Sequence, residues 1–306
     1  MSRRVLVLSL FICVHLWFLT ACKREVSEPV IGAGYVATST VNLRDRLGAT
    51  QTAVGAVTFG EKVDILERRR RWIRVRAGSG KEGWLEQRHL VGEDVLKQFQ
   101  VLRVQAQILP SQGQAHARRD LNLHLTPDRK AQVYYQLHEG ELCQVVARRT
   151  TDRPPTPGKE GPARFDDWYL VHAGEKAGWG LASTLDMNVP DEVLQYAERK
   201  RVTAWFVLDS GPVVDGENKP SILWATAPDE NGLKHDFEGI RVFNWGSRRK
   251  HYETSFIEGG LRGHYPIQVD RGDTLTFRFT AENRQGEKVT RKFEIQGNRV
   301  RRLPVL

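Results

Sequence analysis

Groups able to do covalent or acid–base chemistry are few in this chain, and their spacing joins none of them. The three cysteines stand at 13, 22 and 143. A thiol becomes a nucleophile or a metal ligand when a cation, a histidine or a helix N-terminus stabilises its thiolate. Cys143 sits instead inside GELCQVV, which alternates like a strand: Leu142, Gln144 and Val146 share one face, Cys143 and Val145 the other. A small core residue is the expected role. His89, His116, His124, His138, His172, His235, His251 and His264 form no H-x-x-x-H pair and join no cysteine at zinc spacing. No metal and no other cofactor is expected. Asp209, Asp215, Glu238 and Glu253 are acids that a glycan hydrolase would have to bring within about 5–10 Å of one another, and nothing in the sequence pairs them. The expectation is a protein without catalytic residues.

Binding chemistry remains. ERRRRW over 67–72 is the densest charge, and it falls between the strands of Ile65 and Ile73. It reads as a hairpin tip, either simply solvated or, through Arg69 and Arg70, touching phosphate headgroups or an acidic polymer. Trp84 and Trp179 are candidates to stack on a sugar, although their repeated positions suit fold-determining residues with at most one edge exposed. Tyr134 and Tyr135 adjoin on one strand, so one should face outward as a further ligand contact.

Of the other two cysteines, Cys13 lies within an apolar run and Cys22 marks its boundary. Arg3 and Arg4 precede an apolar run from Val5 to Leu19, and LTAC follows at 19–22. A positive start, a short apolar core and small residues have the form of a secretory signal peptide over residues 1–21. The core is shorter than the roughly 20 residues that span a bilayer. Leu19-Thr20-Ala21-Cys22 resembles the lipobox of bacterial lipoproteins. The resemblance implies cleavage before Cys22, a diacylglyceryl group on its sulfur and durable membrane anchoring by several acyl chains. Lys23 follows Cys22 where the family carries an acid for inner-membrane retention. The expected location is therefore the outer membrane if the cell has one, or else the outer face of a single membrane.

Two segments repeat each other. VNLR (41–44), GEKVDIL (60–66), WIRV (72–75) and EGWLEQRHL (82–90) return as LNLH (121–124), GELCQVV (140–146), WYLV (168–171) and AGWGLASTL (177–185). Asn42 to Gly60 and Asn122 to Gly140 are both 18 positions, and Trp72 to Trp84 and Trp168 to Trp179 are 12 and 11. Short alternating strands between Gly and charged turns suggest a small barrel in each copy. Asn42-Leu43-Arg44, Gly60 to Val63, Trp72 to Val75 and Gly83-Trp84-Leu85 resemble the bacterial SH3 (SH3b) domain, over 35–91 and again over 114–188. The second copy departs with His124 for Arg44, with Gly180 after Trp179, and with an inserted segment, 150–167, read as a Pro-rich surface loop. The resemblance implies a non-catalytic binding module for peptidoglycan or peptides.

The elements between and after the repeats complete the layout. Residues 92–113 read as a helical linker with acids at its start, apolar positions at Val95, Phe99, Leu102 and Ala106, and a stop at Pro110. Residues 189–200 read as a short helix that begins at Pro190. Residues 201–306 read as seven or eight antiparallel strands, a β-sandwich or barrel, with a hairpin joining TLTFRFT to KVTRKFEI. The fold class expected is mainly β: two small SH3-like barrels joined by short helices, plus a C-terminal antiparallel β-sandwich or barrel.

The formal charge of +9, or +7 without Arg3 and Arg4, suits an anionic envelope surface. It is too diffuse for a dedicated nucleic-acid binder. The expected partners are the membrane, through Cys22, and peptidoglycan or an envelope protein. A scaffold lipoprotein that binds only protein is the alternative, and a glycan hydrolase with its site in 201–306 is a third reading.

Overall fold

The structure is a computed structural model and describes residues 28–38, 40–48, 50–153 and 164–304. Cys22 and the expected signal peptide lie outside the described residues, as does segment 154–163. The chain is mainly β, in several antiparallel sheets, with SH3-type architecture at its N-terminal end.

The first barrel comprises β1 (Gly32–Val36), β2 (Thr40–Arg44), β3 (Ala53–Thr58), β4 (Lys62–Arg69), β5 (Trp72–Arg76), β6 (Glu82–Glu86) and β7 (Leu90–Val91). Helix α1 (Glu93–Ile108) follows. The second barrel comprises β8 (Gly113–Ala117), β9 (Leu121–His124), β10 (Val133–Leu137), β11 (Leu142–Arg153), β12 (Arg164–Ala173), β13 (Lys176–Leu181) and β14 (Leu185–Met187). The strand orders, β3-β2-β6-β5-β4-β1-β7 and β10-β9-β13-β12-β11-β8-β14, match strand for strand.

The repeated residues explain the match. Gly60 and Gly140 hold the turns before β4 and β11 at φ of 79° and 78°, a region closed to most side chains. The glutamate after each glycine folds back on its own turn: Thr58 N donates to Glu61 Oε2 at 3.1 Å, and His138 N to Glu141 Oε2 at 3.0 Å. Gly83 and Gly178 allow β2 and β9 to cross closely; a Cβ at either would lie 2.7 or 2.8 Å from the Cβ of Leu43 or Leu123. Each barrel closes on its own alternating residues, among them Leu43, Val63, Ile65, Ile73 and Leu85 in the first, and Leu123, Cys143, Val145, Tyr169 and Val171 in the second.

After β14, α2 (Asp191–Leu194) and one 3-10 turn, Gln195–Ala197, lead into the C-terminal unit. One sheet holds β15 (Lys200–Val207), β18 (Ile222–Pro228), β19 (Gly239–Gly246) and β20 (His251–Glu258), with a small hairpin, β16 (Val213–Val214) and β17 (Glu217–Asn218), in the β15–β18 connection. The other holds β21 (Gly263–Arg271), β22 (Leu275–Glu282), β23 (Lys288–Gln296) and β24 (Arg299–Leu303). Both sheets feed one core, with Ala204, Leu223 and Val242 from the first and Ile267, Phe277, Phe279 and Phe293 from the second. The unit is thus a sandwich, and Phe277 stacks on its cross-strand partner Phe293 at 4.8 Å. Ile222, Trp224 and Phe243 pack on the opposite face of the first sheet, under Val189 and Val193. That double burial is why ILWATA has six buried residues in a row instead of an alternation.

Segment 150–167 departs from the sequence reading. Both of its ends are strand: β11 runs on to Arg153 and β12 starts at Arg164, with Thr150 opposite Asp167 and Thr151 opposite Asp166. Asp166 and Asp167 are buried, because arginines meet them. Arg129 Nε and Arg153 Nε donate to Asp166 at 2.6 and 2.7 Å. Asp167 accepts from Arg148 at 2.8 Å, Arg201 at 3.1 Å, the Thr150 hydroxyl at 2.8 Å and Gly232 N at 3.2 Å. Arg148 also donates to the carbonyls of Leu233 and His235. The elongated hairpin is therefore a strut tying the second barrel to the sandwich.

A second tie is Gln112, fully buried between the edge strands β15 and β21. Its side-chain Oε1 accepts from Ile267 N at 2.8 Å, its Nε2 donates to Ile267 O at 3.4 Å, and its backbone carbonyl accepts from Trp205 N at 2.9 Å. One side chain thus satisfies both backbone groups of an edge residue that has no strand beside it.

Candidate functional site

The ladder of each barrel places an arginine beside two tryptophans in the same register. Arg69 faces Trp72 across β4–β5, and Arg149 faces Trp168 across β11–β12. A bulge precedes each arginine, between Ile65 and Glu67 and between Val145 and Ala147. The guanidinium of Arg69 lies 5.4 Å from the Trp84 ring, and that of Arg149 lies 5.7 Å from the Trp179 ring. Trp84 and Trp179 are themselves buried.

The two copies then diverge. In the second, Leu102 and Ala106 of α1 cover the face, Trp168 is fully buried, and its indole N–H donates to Thr151 Oγ1 at 3.0 Å. His124 closes edge-on against Trp168 at 5.3 Å. In the first, Arg44 occupies the place of His124, 5.0 Å from the half-buried ring of Trp72, with Arg71 at 5.8 Å. Among the described residues no helix covers this face, which carries Arg44, Arg69 and Arg71, with Arg69 paired to Glu67. Arg70 lies exposed at the hairpin tip with φ 52°, a left-handed conformation that costs an ordinary side chain on the order of 1 kcal/mol.

Tyr134 and Tyr135 differ from the expectation that one faces out. Both are buried, because the ladder of β9 and β10 shifts register between Val133 and Tyr135 and turns consecutive side chains inward. They meet Phe59 of the first barrel at 4.7 and 5.2 Å and Phe99 of α1 at 5.5 and 5.8 Å. Around them the two barrels enclose a cleft of about 440 Å³. Its polar lining includes Thr38, His89, Asn122 and Gln136. The Thr38 hydroxyl hydrogen-bonds to His89 Nδ1 at 2.9 Å, and Gln136 Nε2 donates to Asn122 Oδ1 at 3.2 Å. Burial pushes the Tyr134 phenol up to about 12, so it stays protonated. Burial and then the charge of Arg88, with a further contribution from Arg44, hold His89 below the usual imidazole value. Arg88 and Lys176 also line the cleft. Sequence reasoning missed Phe59 and His89; the available signal was an aromatic residue directly before the turn glycine Gly60.

His264 contacts two carboxylates, Glu282 at 3.0 Å and Asp236 at 4.0 Å, while three of the acids named for a hydrolase have other partners. Asp209 accepts from Ser221 N, Glu238 pairs with His235, and Glu253 pairs with Arg249. Among the described residues no cluster of three His, Cys, Asp or Glu is placed to hold a metal ion. Burial pushes the Cys143 thiol up to about 12, so in the folded protein it should resist a thiol reagent such as DTNB and react fully in denaturant. Rapid reaction in the native state would contradict its place in the core.

No curated protein matches the chain in sequence. The solved structures that align with it include two from Trichomonas vaginalis. NlpC2 is 12% identical, with 90% of this chain and 92% of that one covered, and NlpC1 is 11% identical, with 73% and 87% covered. Both have a TM-score of 0.18, at which neither carries an argument. The family match is local: residues 39–91, which hold Phe59, Arg69, Trp72, Trp84 and His89, match the bacterial SH3 domain.

Proposed function

We propose that the chain is a lipid-anchored, non-catalytic binding protein of the bacterial cell envelope, with the aromatic cleft between its two barrels as the binding site. The carrying observation is that cleft: Phe59 and the tyrosine pair form its apolar wall, His89, Asn122 and Gln136 offer hydrogen bonds, and Arg88 and Lys176 bring positive charge to its lining. Such a lining suits a ligand with apolar, hydrogen-bonding and anionic groups in succession, as the peptide-bearing glycan of peptidoglycan has. Bacterial SH3 domains are typically extracellular and commonly bind wall components, which supports the reading. We read residues 114–188 as a second SH3b unit whose tryptophan face is covered by α1.

The anchor rests on the LTAC motif at 19–22. No helix among the described residues is long and apolar enough to cross a membrane. An alkyne-labelled palmitate fed to cells should label the wild-type protein and leave a Cys22→Ser variant unlabelled. Equal labelling of both would remove the anchor from the reading.

The cleft is tested by Phe59→Ala and Tyr134→Phe. Loss of the phenylalanine wall should weaken binding to isolated peptidoglycan about tenfold or more, since a buried aromatic contributes on the order of 1–3 kcal/mol. The phenol change should cost less, about one hydrogen bond. Unchanged binding by Phe59→Ala would place the ligand elsewhere. The scaffold reading has one observation in its favour, the exposed Val101, Val104 and Ile108 along α1. Binding that fails with glycan but is lost from envelope extracts on Val104→Asp would favour it.

A further inference from the structure

A further cavity lies away from both barrels' candidate residues. It measures about 750 Å³ and opens where the edge strands β15 and β21 part, beneath the 110–114 segment that joins α1 to β8. Gln112 closes the gap between those edges, so the cavity has a firm inner end.

Its floor is the outward face of the second sheet. Gln268, Arg278 and Lys292 stand side by side across β21, β22 and β23, each opposite the next in register. Their neighbours along the strands, Ile267, Phe277, Phe279 and Phe293, point the other way into the sandwich core. Arg278 Nε donates to Gln268 Oε1 at 2.7 Å, which fixes the guanidinium plane and leaves both terminal nitrogens without a partner among the described residues. The Lys292 ammonium likewise has no hydrogen-bond or ion-pair partner there. Arg271, at the end of β21, donates to the Val207 carbonyl and also lines the cavity. All three cations are exposed, and none has a carboxylate within 4.0 Å among the described residues. Asp270 is the one carboxylate in the lining, and its Oδ1 is taken by Gly272 N at 3.0 Å. Trp205 and Val207 form an apolar wall opposite, and Gln144 and Ser111 add neutral hydrogen-bonding groups at the rim.

Three cations left unpaired around a preformed cavity favour a ligand that brings its own negative charge. A fixed guanidinium fork suits a carboxylate or phosphate, which it can meet with two parallel hydrogen bonds. The apolar wall and the amide rim suit a sugar ring, which offers one apolar face and a ring of hydroxyls. We propose that this cavity binds a sugar carrying a carboxylate or phosphate group, with Arg278 and Lys292 on the anion and Trp205 on the ring. The site is separate from the inter-barrel cleft, and the proposal does not rest on the function proposed for that cleft.

Titration calorimetry on the full folded chain, in low salt, tests it with four probes: N-acetylmuramic acid, N-acetylglucosamine 1-phosphate, neutral N-acetylglucosamine and inorganic phosphate. At least one anionic sugar should bind tenfold or more tightly than the neutral sugar and more tightly than inorganic phosphate, and the stronger of the two identifies the anion. Arg278→Gln and Lys292→Gln should each weaken that binding about tenfold or more, while Arg302→Gln, exposed on β24 outside the cavity, should leave it unchanged. Both cavity variants replace exposed side chains and should keep the wild-type melting temperature, which separates loss of binding from loss of fold. Absence of binding by every probe overturns the proposal. So does equal binding of the neutral sugar, equal binding of inorganic phosphate, or indifference to both cavity substitutions.

Discussion

Replacing Asp167 with Ala should lower the unfolding free energy by about 3–5 kcal/mol, the usual cost of removing one partner from a buried ion pair. The carboxylate is wholly buried, and Arg148 beside it is 3% exposed. Removing the carboxylate takes the closer of two acids from that guanidinium, which keeps Asp236 at 3.4 Å and the Leu233 and His235 carbonyls. It also orphans the Gly232 amide and leaves the Thr150 hydroxyl only a long bond to Leu233 O. The cluster is not self-sufficient even when intact, since Arg148 Nε, Arg201 Nε and the Tyr169 hydroxyl are buried without partners. The double change Asp167→Leu with Arg148→Met should therefore recover most of the loss, because it removes the buried charges together. Urea denaturation followed by tryptophan fluorescence measures both. A midpoint unmoved by Asp167→Ala would show that the strut carries no stability.

The same cluster sets a pH limit. Burial pushes the Asp167 carboxyl up, but the hydrogen bond and charge of Arg148, with Thr150 and Gly232, outweigh it and hold the group below the ordinary carboxylate range. A depressed folded value means that the unfolded chain takes up the proton first. The stabilisation is then complete above about pH 4, the unfolded value, and is lost as pH falls through the lower folded value. Wild type should lose stability in that acid window more steeply than Asp167→Leu with Arg148→Met.

Gln112→Ala should cost about 2–4 kcal/mol, from a different cause. No charge is involved. The truncation leaves Ile267 N and O without partners in a buried gap, at roughly 1–3 kcal/mol for each orphan, and opens a void beside β15. Gln112→Met fills the void without restoring the bonds, so it should recover only the packing part. Equal stability of the Ala variant and wild type, by the same urea titration, would mean that water enters and satisfies the edge.

Much of the fold could be read in the residues. The Gly-Glu turns, the Trp-x-x-Val strands and the Gly-Trp pairs define both barrels because each motif answers a local demand: a positive φ, a capped amide, a close strand crossing. The helix over 93–108 followed from Val95, Phe99, Leu102 and Ala106, which do face the second barrel. Strand β24 was not legible, since RVRRL carries charge where a core strand carries alternation; as an edge, its arginines discourage further pairing. The extended hairpin was hidden for a related reason. Asp166, Asp167, Arg148 and Arg153 look like solvated loop residues until the register sets them opposite one another. The cleft was half visible. Tyr134 and Tyr135 stood out as a pair, but their common inward turn depends on a bulge, and Phe59 reaches them only once the barrels are placed side by side. Trp84 and Trp179 were recognised by repetition, and their burial leaves the arginines over them as the groups that a partner would meet.

The central claim is that the barrels bind the cell wall through a shaped site and not through charge alone. The most direct measurement is co-sedimentation of the soluble chain, from Lys23 onward, with purified peptidoglycan sacculi at 50 mM and 500 mM salt. The account predicts that most of the retention survives the higher salt, where exposed charges are screened within about 5 Å, and that Phe59→Ala abolishes the surviving part. Retention that vanishes at 500 mM salt, or is the same for Phe59→Ala, would contradict it.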